Sequence, residues 1–218
     1  MSARAAFFDM DKTLVPVNTG ELYARWRFRR GESGLGDVLR VGWWSVQYTF
    51  GLVDADAVSR YAARTLEGRD ERAFADECRE WYAAMVRPHL TDHARREVDR
   101  RRQDGYLLAV LTGSSPYAAG PLAEDLGIDH VISSRLEVVG GCFTGEVESP
   151  LCYGPGKVAR ALDWSARHAV DLAASAFYTD SLSDLPMLER VGEPRIVNPD
   201  PRLRALARSR GWPIEIWR

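Results

Sequence analysis

The sequence predicts an α/β protein: a Rossmann-like, mostly parallel sheet core with an inserted helical cap. Three observations carry that expectation. From residue 91 onward, short apolar runs of buried-strand length alternate with helical segments. Between about residues 18 and 88 almost nothing alternates with period two, and Gly31, Gly34, Gly51, Gly68 and Pro88 break the stretch into helices. Acids, hydroxyls and one lysine fall where the strands end, the edge at which open parallel sheets bind ligands.

The elements follow in order. Ala5-Ala6-Phe7-Phe8 is a short apolar strand, and two acids, Asp9 and Asp11, follow it directly. In the helical stretch, Asn18 or Thr19, Asp37, Asp54 and Asp70 are the expected N-caps of four helices. Thr91 caps a fifth helix that ends at Gly105. Tyr106 to Thr112 reads as a buried strand, Pro116 to Leu126 as a helix stopped by Gly127, and His130 to Ser133 as a weaker strand. Gly140-Gly141 turns a hairpin over residues 138–144. A helix over 156–168, a strand over 176–179, a helix through Met187 and Leu188, and a strand over 195–197 come next. A last helix is capped near Asn198 or Asp200, and Ile214 to Ile216 closes the sheet edge. The expected division is a core of residues 1–16 and 89–218, with 17–88 as the helical cap.

Bulk properties narrow the classes. The chain has 218 residues, enough for one sizeable core or a core and a small second domain. Apolar content of 45% and charged content of 28% fit an ordinary soluble globular chain. A net charge of −2 offers no broad basic field, so nucleic acid is not an expected partner. Cys78, Cys142 and Cys152 form no Cys-x-x-Cys pair, which suits reduced thiols and a cytoplasmic location. No secretory leader is expected before the first strand. The run from Val41 to Val53 is roughly half a bilayer span, so no transmembrane segment is expected.

The pair Asp9 and Asp11 is the most telling feature. Two residues apart on an extended chain, both carboxylates face the same side, and like charges so placed imply a cation, a shared proton or chemistry. Asp180, Ser181 and Asp184 follow the strand that ends at Thr179; Thr112, Gly113 and Ser114 follow the strand before them in the chain. Asp9, Asp11 and Asp180 supply oxygen ligands suited to Mg²⁺, a hard cation that keeps several waters. Lys157, the Thr112 hydroxyl and the Gly113 N–H suit a phosphate dianion. A carboxylate beside both can attack phosphorus, and a second acid can serve the leaving group and then the water.

In this order the motifs resemble those of the haloacid dehalogenase (HAD) superfamily, specifically the phosphoserine-phosphatase-like branch with a helical cap after the first motif, subfamily IB. Asp9-Met10-Asp11-Lys12-Thr13-Leu14 is similar to motif one, Leu111-Thr112-Gly113 to motif two, Lys157 to motif three, and Asp180 to Asp184 to motif four. The resemblance implies a HAD fold and a Mg²⁺-dependent phosphomonoesterase working through an aspartyl-phosphate on a small phosphorylated substrate. It implies Asp9 as nucleophile and metal ligand, Asp11 as general acid/base with a main-chain bond to the metal, and Asp180 as metal ligand. It implies Thr112, Gly113 and Lys157 as phosphoryl-binding groups and Asp184 as support. Two positions depart from the phosphoserine phosphatases: Asn18 replaces a glutamate, and Ser183 replaces an asparagine. Phosphoserine, histidinol phosphate and a lipid phosphate all stand as candidate substrates.

Other expectations compete. A receiver-like phosphoacceptor without turnover also uses aspartates, a threonine and a lysine at strand ends, but places its phosphoacceptor on a later strand than its acidic pair. Trp43, Trp44, Tyr48 and Phe50 are expected to form the core of the cap, a substrate wall, a homodimer contact or a membrane-surface face. Arg25, Arg27, Arg29 and Arg30 are either a solvated helix face or an attractant for an anionic substrate or lipid headgroup.

Overall fold

The structure is a computed structural model that describes residues 2–50 and 54–217; at positions 45, 46 and 48–50 only the backbone is described. The element order is β1 (Ala5–Phe8), α1 (Thr19–Arg29), α2 (Leu35–Phe50), α3 (Ala55–Arg64), α4 (Glu71–Trp81), α5 (Asp92–Gln103), β2 (Leu107–Thr112), α6 (Pro116–Leu126), β3 (His130–Ser133), β4 (Arg135–Val139), β5 (Cys142–Glu148), α7 (Pro155–Arg167), β6 (Ala176–Thr179), α8 (Leu185–Leu188), β7 (Glu193–Val197), α9 (Pro201–Arg210) and β8 (Ile214–Glu215). A π turn over Tyr82–Val86 and a 3-10 turn over Arg87–His89 join α4 to α5.

Six strands pair in the order β3-β2-β1-β6-β7-β8, and every pairing is parallel. Each strand residue therefore meets a different layer from its neighbour. Phe8, Leu108, Val110 and Tyr178 pack on one face with Val98 of α5 and Leu122 of α6. Phe7, Ala109, Leu111 and Phe177 pack on the other with Trp164 of α7, Met187 of α8 and Leu203 of α9. Burial on both faces explains why these strands read as continuous apolar runs. The chain moves outward from β1 to β2 and β3, then returns to start the other half at β6. The reversal lies between β1 and β6, the crevice where such sheets bind ligands.

The helices α1 to α4 leave the sheet after β1 and return at α5. Their N-caps follow from short polar side chains: Asn18, Asp54 and Asp70 each accept a first-turn N–H. Asp37 departs from the expectation. The helix α2 starts at Leu35, so Asp37 sits inside the first turn and reaches back to the Gly34 N–H at 3.2 Å. Gly51 lies outside the described residues.

The hairpin is longer than the Gly-Gly turn suggested and stands apart from the main sheet as β4 and β5 alone. It sits against the helical insertion. The Gly68 N–H donates to the Phe143 carbonyl, the Phe143 N–H to the Arg69 carbonyl, and the Glu71 N–H to the Gly141 carbonyl, all within 3.0 Å. Leu66, Phe74, Cys78 and Phe143 form the apolar cluster beneath that seam. No helix among the described residues is long and apolar enough to cross a membrane.

Candidate active site

Asp9 sits at the carboxyl end of β1, its N–H donating to the Tyr178 carbonyl of β6 at 2.9 Å. It is buried, at 5% exposure, and its Oδ1 accepts from the Lys157 ammonium at 2.7 Å. The same ammonium donates to Asp184 Oδ2, also at 2.7 Å. The Thr179 hydroxyl gives that oxygen a second donor at 2.6 Å. One buried lysine therefore ties the ends of β1 and β6 together.

Lys157 reaches this position because α7 begins unusually. Gly154, before the helix, has φ 51° and ψ −124°, a conformation that favours glycine. Gly156 runs so close to the preceding loop that a Cβ there would lie 1.9 Å from the Leu151 carbonyl oxygen. Lys157, in the first turn, is thus drawn under the sheet edge.

Asp11 is placed by a different contact. Its Oδ1 accepts the Thr19 N–H at 2.8 Å, which ties the acid to the first turn of α1. The loop between them is compact: Lys12 has φ 54°, and its carbonyl accepts from Asn198 Nδ2 at 2.9 Å. Asn198 Oδ1 in turn takes the Trp217 N–H at 2.9 Å. Asp200 caps α9 and also accepts the Leu182 N–H, while its own N–H donates to the Asp180 carbonyl.

Thr112 ends β2, buried, with its oxygen accepting the Ser114 N–H at 3.2 Å. That geometry leaves the hydroxyl proton for a ligand. Thr112, Gly113, Asp9, Asp11 and Lys157 line one cavity. Asp180 and Asp184 are buried at the end of β6 and the turn after it. Asp184 stands in the first turn of the segment after β6, with its carboxylate turned inward to Lys157. The N-cap of that turn is Ser181.

Electrostatics separate the roles. Burial pushes Asp9 up to about 7, against the pull of Lys157. Burial also raises Asp11, opposed by the hydrogen bonding of Thr19. Asp180 is raised by burial and then by the charge of Asp9. Lys157 behaves oppositely: burial disfavours its charge, but Asp184 and Asp9 outweigh that and hold it above the usual lysine value. The carboxylates here outnumber the cations, and Oδ1 of Asp180 and of Asp184 are buried without a hydrogen-bond partner among the described residues. Buried anionic oxygens without partners fit an added cation. Among the described residues no group of three or more His, Cys, Asp or Glu side chains is arranged to hold a metal ion.

Sequence reasoning missed the positioning contacts. The Thr19 donor is a main-chain group with no side-chain signature. Asn198 bonds the Lys12 carbonyl across 186 positions of chain. The threonine beside Asp180 could have been found, since a hydroxyl at a buried strand end needs a partner. In the helical insertion, Trp44 lines the cavity and packs edge-on against Tyr61, while Trp43 of α2 is 61% exposed. The side chains of Tyr48 and Phe50 lie outside the described residues. Arg25, Arg27 and Arg30 pair with Glu21 and Glu32, as a solvated helix face does.

A buried lysine and threonine beside paired acids, at the switch point of a parallel sheet, make a site suited to a phosphate group. The chain belongs to the haloacid dehalogenase-like hydrolases, whose family model matches residues 6–189. It is a phosphatase of that family, similar to the phosphoserine-phosphatase-like branch. It is 34% identical to the "Inhibition of morphological differentiation protein" of Streptomyces azureus, over 96% of this chain and 77% of that one. It is 31% identical to phosphoserine phosphatase SerB1 of Mycobacterium tuberculosis, over 98% of this chain and 71% of that one. A histidinol-phosphatase of Neisseria meningitidis is 27% identical, over 96% of both chains. Among solved structures, a Bordetella pertussis protein of unknown function superposes with TM-score 0.89 at 30% identity, covering 99% of both chains. A phospho-aspartyl intermediate analogue of phosphoserine phosphatase shares the fold, with TM-score 0.72 at 21% identity over 99% of this chain and 94% of that one.

Proposed function

We propose that the chain is a Mg²⁺-dependent phosphomonoesterase that hydrolyses a small phosphorylated metabolite through an aspartyl-phosphate at Asp9. The observation that carries this reading is the Lys157 bridge. With Oδ1 of Asp9 held by the ammonium at 2.7 Å, Oδ2 is the oxygen left for phosphorus. Asp9, Asp180 and the main chain of Asp11 would hold the metal, which supplies positive charge to the phosphoryl oxygens and the nucleophile. Lys157, the Thr112 hydroxyl and the Gly113 N–H grip the phosphoryl group. Asp9 attacks phosphorus in line, the P–O ester bond breaks, and Asp11 gives its proton to the leaving oxygen. Asp11 then takes a proton from water, the water oxygen bonds to phosphorus, and the P–O bond to Asp9 breaks.

Burial suits Asp11 to this part, because raising its pKa keeps a proton available. Asp184 positions Lys157. Residues 17–88 would act as a cap that closes over a small substrate and excludes water. The relatives named for phosphoserine and histidinol phosphate favour small alcohol phosphates. The test is p-nitrophenyl phosphate hydrolysis with and without Mg²⁺. Asp9→Asn should lower kcat by at least about 10³-fold; a normal rate would sink the mechanism.

A further inference from the structure

The cavity that begins at Asp9 continues upward between the sheet edge and the helices of the insertion, with a volume of about 420 Å³. Its two ends differ in chemistry. Among the described residues that line it, the charged ones are Asp9, Asp11, Lys12 and Lys157, all at or beside the strand ends. The upper wall is Trp44, Val58, Leu66, Phe74 and Trp81, closed by Leu136 of the hairpin.

Several polar groups near this wall are engaged, and the Ser59 hydroxyl, which also lines the cavity, is uncharged. Tyr23 lines the cavity, but its hydroxyl donates to Glu77 Oε1 at 2.6 Å. Glu77 is in turn paired with Arg69. The Thr65 hydroxyl donates to the Ala62 carbonyl at 2.7 Å. Asn18 is uncharged, and its Oδ1 caps α1 through the Glu21 N–H at 3.1 Å.

We infer that the substrate is a monophosphate ester of an apolar, uncharged alcohol, whose organic group fills the cavity between Trp44, Val58, Phe74 and Trp81. This rests on the phosphatase reading of the strand-end site. A zwitterionic amino-acid group would bury an ammonium and a carboxylate against these side chains without charged partners, a penalty of about a hundredfold or more in kcat/KM. An apolar group gains instead, by about fourfold per buried methylene. The volume suits a group of small-ligand size enclosed by the cap. Trp81 adds one polar feature: its indole N–H is buried with no partner among the described residues.

The test is a series of n-propyl, n-pentyl and n-octyl phosphate, with O-phosphoserine, assayed for phosphate release by the purified protein in Mg²⁺. The expected result is kcat/KM rising about fourfold per methylene until the cavity is full, with phosphoserine at least about a hundredfold below the pentyl ester. A flat or falling series, or phosphoserine as the best substrate, overturns the inference. Val58→Asp, which puts a carboxylate in the wall, should flatten the slope. Calorimetric binding of the matching n-alkylphosphonates separates the cavity from the chemistry. Affinity that climbs with chain length supports the inference even if no ester is hydrolysed, an outcome that would refute the phosphatase reading alone. Affinity independent of chain length overturns the inference whatever the turnover.

Discussion

Replacing Lys157 by Met removes the cation on which two buried carboxylates depend. Lys157, Asp9 and Asp184 have side-chain exposures of 4%, 6% and 1%, and both N–O distances are 2.7 Å. A methionine fills much the same volume but leaves both acids without their ammonium. Breaking a buried ion pair by deleting one partner costs about 3–5 kcal/mol. Chemical denaturation at pH 8 without metal should show a loss in that range. The deficit should depend on pH with a defined sign. Asp9 is raised in the folded protein from 3.8 to about 7, so the stability of its neutral form is present below pH 4 and lost as pH rises through 7. The ammonium already limits that loss in the parent protein, because it pulls the Asp9 pKa down against burial; without it the rise and the loss are larger. The Met variant should therefore be close to the parent in stability near pH 4 and fall away from it toward pH 8. Its kcat should drop by about 10²–10³-fold, the effect of deleting one preorganised donor to a developing anion. A stability loss under about 1 kcal/mol at pH 8, or activity within tenfold of the parent, would refute the bridge as the organiser of the site.

Two further outcomes follow from other parts of the structure. Asp11→Asn should cost about 10²–10⁴-fold in kcat on an alkyl phosphate and much less on acetyl phosphate, whose leaving group needs no proton; equal losses would remove Asp11 as the acid. Gly156→Ala should lower the melting temperature and the activity together, because its Cβ would meet the Leu151 carbonyl at 1.9 Å in the turn that aims Lys157; Gly192→Ala, with 2.0 Å to the Ala173 carbonyl away from the site, should lower stability while leaving kcat of the folded fraction unchanged.

Much of this architecture is legible in the chain because burial on both faces of the sheet writes itself as apolar runs. Phe7 and Phe8 face opposite layers, and the acid after them marks the strand end. The helix starts were equally readable where a short polar side chain met a free N–H, as at Asn18, Asp54, Asp70 and Thr91. Asp37 misled because an acid in the first turn and an acid at the N-cap look alike in sequence. The hairpin misled in another way: its two strands read correctly as a pair, but its partner is the helical insertion, a contact made through backbone groups of Gly68, Arg69 and Glu71. At the site, the acids, Thr112 and Lys157 were visible as residue types at strand ends. What held them was not. The Thr19 N–H on Asp11 and the Asn198 amide on the Lys12 carbonyl are side-chain to main-chain bonds, and main-chain groups carry no identity in a sequence. The chemistry of the cap wall was also hidden, since Trp43 and Trp44 are adjacent in sequence yet face solvent and the cavity respectively.

The central claim is that phosphorus passes through the Asp9 carboxylate. The most direct measurement is rapid acid quench during turnover of a phosphate ester with Mg²⁺, borohydride reduction, and mass spectrometry of the peptide that carries residue 9. An acyl phosphate at Asp9 would be reduced to homoserine at that position, in the parent protein and not in Asp9→Asn. Turnover with residue 9 recovered only as unmodified aspartate, or with the reduced residue at position 11, would contradict it.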